Sequence, residues 1–149
     1  MNIDTIQFYS AKAPYGFLSN FFAAPIKVDG DVWPTTEHFF QAQKFADPSR
    51  QAAIRAAPTP GIAKQLAWAD DTGLRRDWDE VRDEVMLTAL RAKFTQHSLL
   101  RDQLVATGDA LLVEHTHLDR YWADGGDGSG LNRLGVLLMQ VRDELKESA

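Results

Sequence analysis

The chain has 149 residues, 44% of them hydrophobic and 25% charged, which suits one soluble globular domain long enough to bury a core. It contains no cysteine, which excludes disulfides, thiolate metal sites, iron–sulfur clusters and a cysteine nucleophile, and fits a reducing cytoplasm. A net charge of −5 argues against a protein that coats nucleic acid or anionic lipid, but leaves room for an enzyme that visits one modified base.

The opening stretch, MNIDTIQFYS, has neither the basic nor the apolar segment of a secretory leader. No apolar run nears the ~18 residues that cross a membrane, so the expected setting is the cytoplasm with no membrane partner. Ile6 to Ser10 alternate and predict a short strand, and AKAPYGFLSNFF after it reads as a loop. PIKVDGDVW, residues 25–33, predicts a hairpin, because Asp29-Gly30 between two β-prone runs is the pair a two-residue type I′ turn favours. Pro34 ends the second strand, and Thr35 or Thr36 caps a helix expected to run to Ala46, before Asp47-Pro48.

Helices are expected over 48–57, closed by Pro58 and Pro60, and over 62–69, stopped near Asp71-Thr72-Gly73. A long helix follows from Asp79 to Phe94. Val81, Val85, Thr88, Ala89 and Ala92 share one face of it, and Met86 and Leu90 widen the apolar arc, so it is expected to pack on more than one side. Ser98 caps a short helix, 99–106, that Gly108 terminates, and 110–116 alternates as a strand. Residues 117–132 form a glycine-rich loop. Leu134, Leu137, Leu138, Val141 and Leu145 then mark an amphipathic C-terminal helix. The fold class is α+β: a single, mostly helical domain over residues 1–149 with a small antiparallel β portion.

Three constellations carry chemistry. In WPTTEHFFQAQKF, residues 33–45, helical spacing brings Glu37, Gln41 and Lys44 within an arc of roughly 60°. On a solvated face such neighbours contribute only a few tenths of a kcal/mol. Here Phe39, Phe40 and Phe45 flank them, and charges among apolar rings have shifted pKa values that mark candidate sites. The second, EHTHLD, offers His115, His117 and Asp119 as three zinc ligands, but Arg120 stands where a dinuclear pattern wants another histidine. The third, GGDGSGLN, leads into a helix as anion-binding loops do, with Tyr121, Trp122 and Asn132 beside it. It lacks the Gly-Lys-Ser/Thr of a P-loop and the spacing of a dinucleotide fingerprint. Trp78, just before the long helix, is a core anchor or a ring at a site rim. His38 and His97, taken singly, read as structural.

Five separated blocks, FYSAKAPYGFLSNFF, WPTTEHFFQAQKF, DWDEVRDEVMLTALRAKF, LVATGDALLVEHT and DRYWADGGDGSGLNRLGVLLMQVR, together resemble the NADAR, or YbiA-like, family of N-glycosidases. The resemblance runs from about residue 6 to residue 145, in the family's order. It implies hydrolysis of a bond between ribose C1 and an amino nitrogen, with no cofactor and no metal. Two substrate classes go with the family: ADP-ribose on the amino group of guanine in DNA or nucleotides, and phosphoribosylamino-pyrimidine intermediates of riboflavin synthesis. The partner implied is therefore a small-molecule or nucleic-acid-linked ribosyl substrate, ADP-ribosylated DNA included. No toxin partner follows from the residues.

By position in the family's motifs, the resemblance implies catalytic roles for Glu37, Lys44, Trp78 and Asp119. Glu37 would face the positive charge that develops on the sugar. Lys44 would hold phosphate, orient the carboxylate, or attack C1 of an opened sugar as an amine. Trp78 would stack and position, and Asp119 would activate water or hand a proton to the leaving amine. Asn20, Phe21, Gln41, Tyr121, Trp122, Gly130 and Asn132 would contact ribose, base and phosphate. Two departures stand out: Phe22 replaces a tyrosine common in relatives, and Ala123-Asp124 replaces the glycine-rich continuation after Tyr-Trp.

Overall fold

The computed structural model of the chain describes residues 4–148; residues 1–3 and 149, which the leader and single-domain readings also take in, lie outside the described residues. In chain order the elements are β1 (Thr5–Phe8), a 3-10 turn (Gly16–Leu18), β2 (Ile26–Val28), β3 (Asp31–Trp33), α1 (Thr36–Ala42), α2 (Pro48–Arg55), α3 (Pro60–Ala69), α4 (Trp78–Gln96), α5 (Ser98–Ala106), β4 (Leu111–Glu114) and α6 (Arg133–Glu147). The architecture is α+β and mostly helical, as the sequence predicts. The chain divides into two compact units: residues 23–93, and the described residues up to Phe22 together with those from Phe94 onward. Among the described residues no helix is long and apolar enough to cross a membrane.

In the unit of residues 23–93, β2 and β3 form the expected antiparallel hairpin, Ile26 opposite Trp33 and Val28 opposite Asp31. Asp29 and Gly30 both take positive φ, 52° and 88°, as the type I′ turn requires. Thr35 is extended, and its hydroxyl accepts the His38 backbone N–H, so Thr35 is the cap of α1. All seven residues of α1 are buried, because it packs against β3, α2 and α3 at once. Ile26, Trp33, Phe39, Phe45 and Ile54 build the core there, with alanines 42, 57, 63, 67 and 89 allowing close approach of the helices. Trp33 and Phe39 meet edge to face, centroids 5.5 Å apart. Asp47 and Thr59 cap α2 and α3, each with proline in the first turn.

The expected helix to Ala46 stops at Ala42. The N–H groups of Lys44 and Phe45 turn back to the carbonyls of Gln41 and Ala42, after which Phe45 bridges Leu74 and the Arg75 N–H donates to the Lys44 carbonyl. A tertiary strand bridge thus outcompetes another helical turn, and it pins Lys44 three residues from the start of α4. Along α4 the buried set is Trp78, Met86, Leu87, Ala89, Leu90, Lys93 and Phe94, on more than one side as expected. Thr88 is not part of it: it is exposed, its hydroxyl donating to the Glu84 carbonyl.

In the other unit, β1 and β4 pair in parallel, Thr5 opposite Leu111 and Phe8 opposite Glu114. The β portion is as small as expected, but only half of it is antiparallel. A parallel pair needs a long crossover rather than a turn, so no local signal announces it. α6 covers β4 and α5, and its leucines 134, 137, 138 and 145 and Val141 are all buried, as their spacing predicts. Ser98 opens α5 rather than capping it; the cap position falls to His97, which is extended and makes no side-chain capping bond.

Candidate active site

The first turn of α1 carries Glu37 and the next turn Gln41, and burial leaves them 7% and 3% exposed. Gln41 Nε2 donates to Glu37 Oε1 at 3.0 Å. Gln41 Oε1, pointing the other way on the same amide, is buried and has no hydrogen-bond partner among the described residues. A buried acceptor without a donor is unfavourable by itself, which makes it a natural contact for a ligand hydroxyl or amine. The carboxylate also lies within electrostatic reach of Lys44.

Lys44 is half-buried among three rings. Its Nζ stands 4.8 Å from the Trp68 ring centroid and 6.0 Å from those of Phe40 and Trp78. Phe40 and Trp78 pack on each other, centroids 5.0 Å apart. Burial lowers the pKa of the ammonium below the ordinary lysine range; Glu37 pulls it partly back, and the like charge of Lys64 lowers it further. Glu37, Gln41 and Lys44, read in sequence as one stripe, and Trp78, read apart from them, thus form one cluster in this unit.

Two residues of the unit escaped the sequence reading. Trp68, on the last turn of α3, faces Lys44. Its signal was faint: one tryptophan on a helix whose core contacts are alanines. Lys93 on α4 is 1% exposed, and burial lowers its pKa to about 7. A lysine at that place in an amphipathic helix ordinarily extends to solvent, so nothing in the pattern marks it. His38 is structural, as expected. Its Nε2 reaches the Ala57 carbonyl at 3.0 Å and must carry the proton, leaving Nδ1 to accept from the Thr35 hydroxyl at 2.8 Å. Burial lowers its pKa, and the bond to Ala57 opposes this in part.

In the other unit, Asp119 Oδ1 accepts the N–H groups of both Tyr121 and Trp122 at 2.8 Å, which fixes the loop and leaves Oδ2 for other work. Tyr121 and Trp122 are half-buried and meet edge to face at 4.9 Å. Asn132 takes a left-handed φ of 50°, and its amide is committed to β4: Oδ1 accepts from Glu114 N–H, and Nδ2 donates to the Leu112 carbonyl. These two bonds anchor the loop to the strand. Gly130 is required by space, since a Cβ there would meet the Ala123 carbonyl oxygen at 2.4 Å. Asn20 is buried just after the 3-10 turn, and Phe21 beside it is 40% exposed.

The three zinc ligands suggested by EHTHLD do not gather. His115 Nδ1 pairs with Asp124 Oδ2 at 2.7 Å, and among the described residues no group of three or more histidine or acidic residues is placed to hold a metal. Asp124 Oδ1 also accepts from Thr116 and Gly126. Burial alone would raise the Asp124 carboxyl, but the bonds from His115, Gly126 and Thr116 together outweigh it and hold the pKa below the ordinary range.

The NADAR domain family model matches residues 7–146. "N-glycosidase YbiA" of Escherichia coli (strain K12) is 53% identical over 140 residues, covering 94% of this chain and 88% of that protein. "Riboflavin biosynthesis protein VVA0006" of Vibrio vulnificus (strain YJ016) is 46% identical over 144 residues, 97% of this chain and 39% of that longer protein. The NMR structure of E. coli YbiA superposes with a TM-score of 0.91 at 51% identity, covering 99% of this chain and 88% of that one. Fold, buried carboxylate and likeness define the class, an N-glycosyl hydrolase. Within that class, the chain belongs to the NADAR domain family.

Proposed function

We propose that the chain hydrolyses the bond between ribose C1 and an amino nitrogen, with ADP-ribosylated guanine, in DNA or as a nucleotide, as its substrate. The observation that carries this reading is the Glu37 carboxylate, buried at 7% exposure, bound by Gln41 and within electrostatic reach of Lys44. Breaking the bond places positive charge on C1 and the ring oxygen, and a carboxylate already out of water stabilises that charge without reorganising. The oxygen of water bonds to C1, the C–N electron pair passes to nitrogen, and the nitrogen departs with a proton. Trp78 is assigned the positioning of the substrate. Lys44 either orients phosphate and carboxylate or, on a ring-opened sugar, adds to C1 as the free amine. In that second route the substrate amine leaves with a proton, and water then releases lysine from the imine.

Of the three rings around Lys44, the exposed one, Trp68, favours a bicyclic base. A second reading, hydrolysis of a phosphoribosylamino-pyrimidine, is favoured by the name of the Vibrio relative. Offering the two substrates side by side and identifying the released base decides between them; faster release of guanine is the expected result. A non-catalytic module for ADP-ribose would instead bind ADP-ribose and release neither base.

A further inference from the structure

Trp68 is 69% exposed on the last turn of α3. A lone exposed tryptophan needs no explanation, but this one stands 4.8 Å from the amine of Lys44. Phe40 and Trp78, the other rings around that amine, are buried and packed on each other, so neither has an open face to offer. Lys44 is therefore flanked by two closed rings and one open one. Lys64 lies one turn earlier on the same side of α3, where its charge is felt by Lys44.

Building on the reading that a ribosylated amine is the substrate, we propose that the open face of Trp68 is the platform on which the departing heterocycle stacks, and that this residue sets which base is accepted. The reaction brings C1 to Glu37 and Lys44. An exocyclic nitrogen holds the base one bond farther from C1 than an ordinary nucleoside does, which suits a ring to the side of the amine. Stacking on an indole requires only a flat π face, so a fused purine gains more overlap than a single pyrimidine ring. Trp68 thus touches the substrate but not the reacting atoms, and acts on specificity.

The test compares W68F and W68L with the wild type on two substrates, the ribosylamine of a purine and that of a single-ring pyrimidinedione. W68F keeps a π face; W68L keeps apolar cover over Lys44 without one. W68L should raise KM for the purine substrate about tenfold and for the pyrimidine substrate less, with kcat and the pH–rate profile unmoved and W68F close to wild type. An unchanged KM in W68L, or equal losses on both substrates, overturns the proposal. So does a change confined to kcat or the pH profile, which would assign Trp68 to shielding Lys44. Failure of the wild type to turn over either substrate overturns the substrate reading as well, and separates that failure from a failure at Trp68 alone.

Discussion

Gln41 Nε2 donates to Glu37 Oε1 across 3.0 Å, one helical turn apart and both out of water. The amide holds the carboxylate in one orientation, and the helix holds the amide. Glu37→Gln removes the charge but little volume, and should lower kcat by about 10²-fold or more with the fold intact. Gln41→Leu leaves the charge in place but removes the amide bond to it, so kcat should fall about tenfold while KM changes little. Steady-state kinetics on the preferred substrate, with a circular-dichroism melt of each variant, checks both.

Lys44 has its pKa lowered by burial, against the pull of Glu37 and with help from Lys64. If the free amine reacts, kcat rises with pH through that lowered pKa, because the neutral fraction grows as the proton leaves. Lys44→Arg keeps a cation and has no nucleophile at any working pH. It should abolish the rising limb and the mass shift that borohydride leaves on wild type with substrate. Activity surviving in Lys44→Arg, with no trapped adduct in wild type, assigns Lys44 to orientation instead.

Lys93 binds a proton up to about pH 7 in the folded chain, against about pH 10.4 for an ordinary lysine in the unfolded one. Between those values the unfolded state holds more protons, so Lys93 makes stability rise with pH from about 7 toward 10. Lys93→Met, of similar length and apolar, should remove that part of the slope. Urea midpoints at pH 7 and pH 9 for both proteins test it: wild type should gain more between the two than the variant. Parallel shifts would rule Lys93 out as the cause.

Asp124 accepts from His115, Thr116 and Gly126, and its pKa is held down despite burial. Its contribution is fully present above the unfolded value of about 3.9 and is lost as pH falls through the lower folded value. Asp124→Asn should cost about 1–3 kcal/mol at neutral pH, because the part-buried N–H groups of Thr116 and Gly126 lose a charged acceptor. The gap between variant and wild type should shrink at pH 3, as urea unfolding at the two pH values would show.

Local chemistry was legible in sequence wherever neighbours in the chain decide the structure. Asp29-Gly30 marked a turn that only positive φ closes, Thr35 or Thr36 marked a cap that falls on Thr35, and the leucines of α6 marked a buried stripe. Glu37, Gln41, Lys44 and Trp78 could be named because three of them share a short motif and the fourth stands at the start of a helix. What stayed hidden depended on distant partners. The end of α1 is set by the bridge from Phe45 to Leu74, and the commitment of Asn132 by strand carbonyls and amides 18 and 20 residues away. Trp68 and Lys93 stayed hidden because burial and facing are decided by packing, which residue type alone does not encode.

The pairing of Thr5–Phe8 with Leu111–Glu114 has a consequence for synthesis. The first strand leaves the ribosome more than a hundred residues before its partner exists, whereas residues 23–93 contain every partner of their own hairpin and core. Translation therefore presents a nascent chain whose middle can condense while its beginning waits, with Phe8 open to misplaced contacts until β4 emerges.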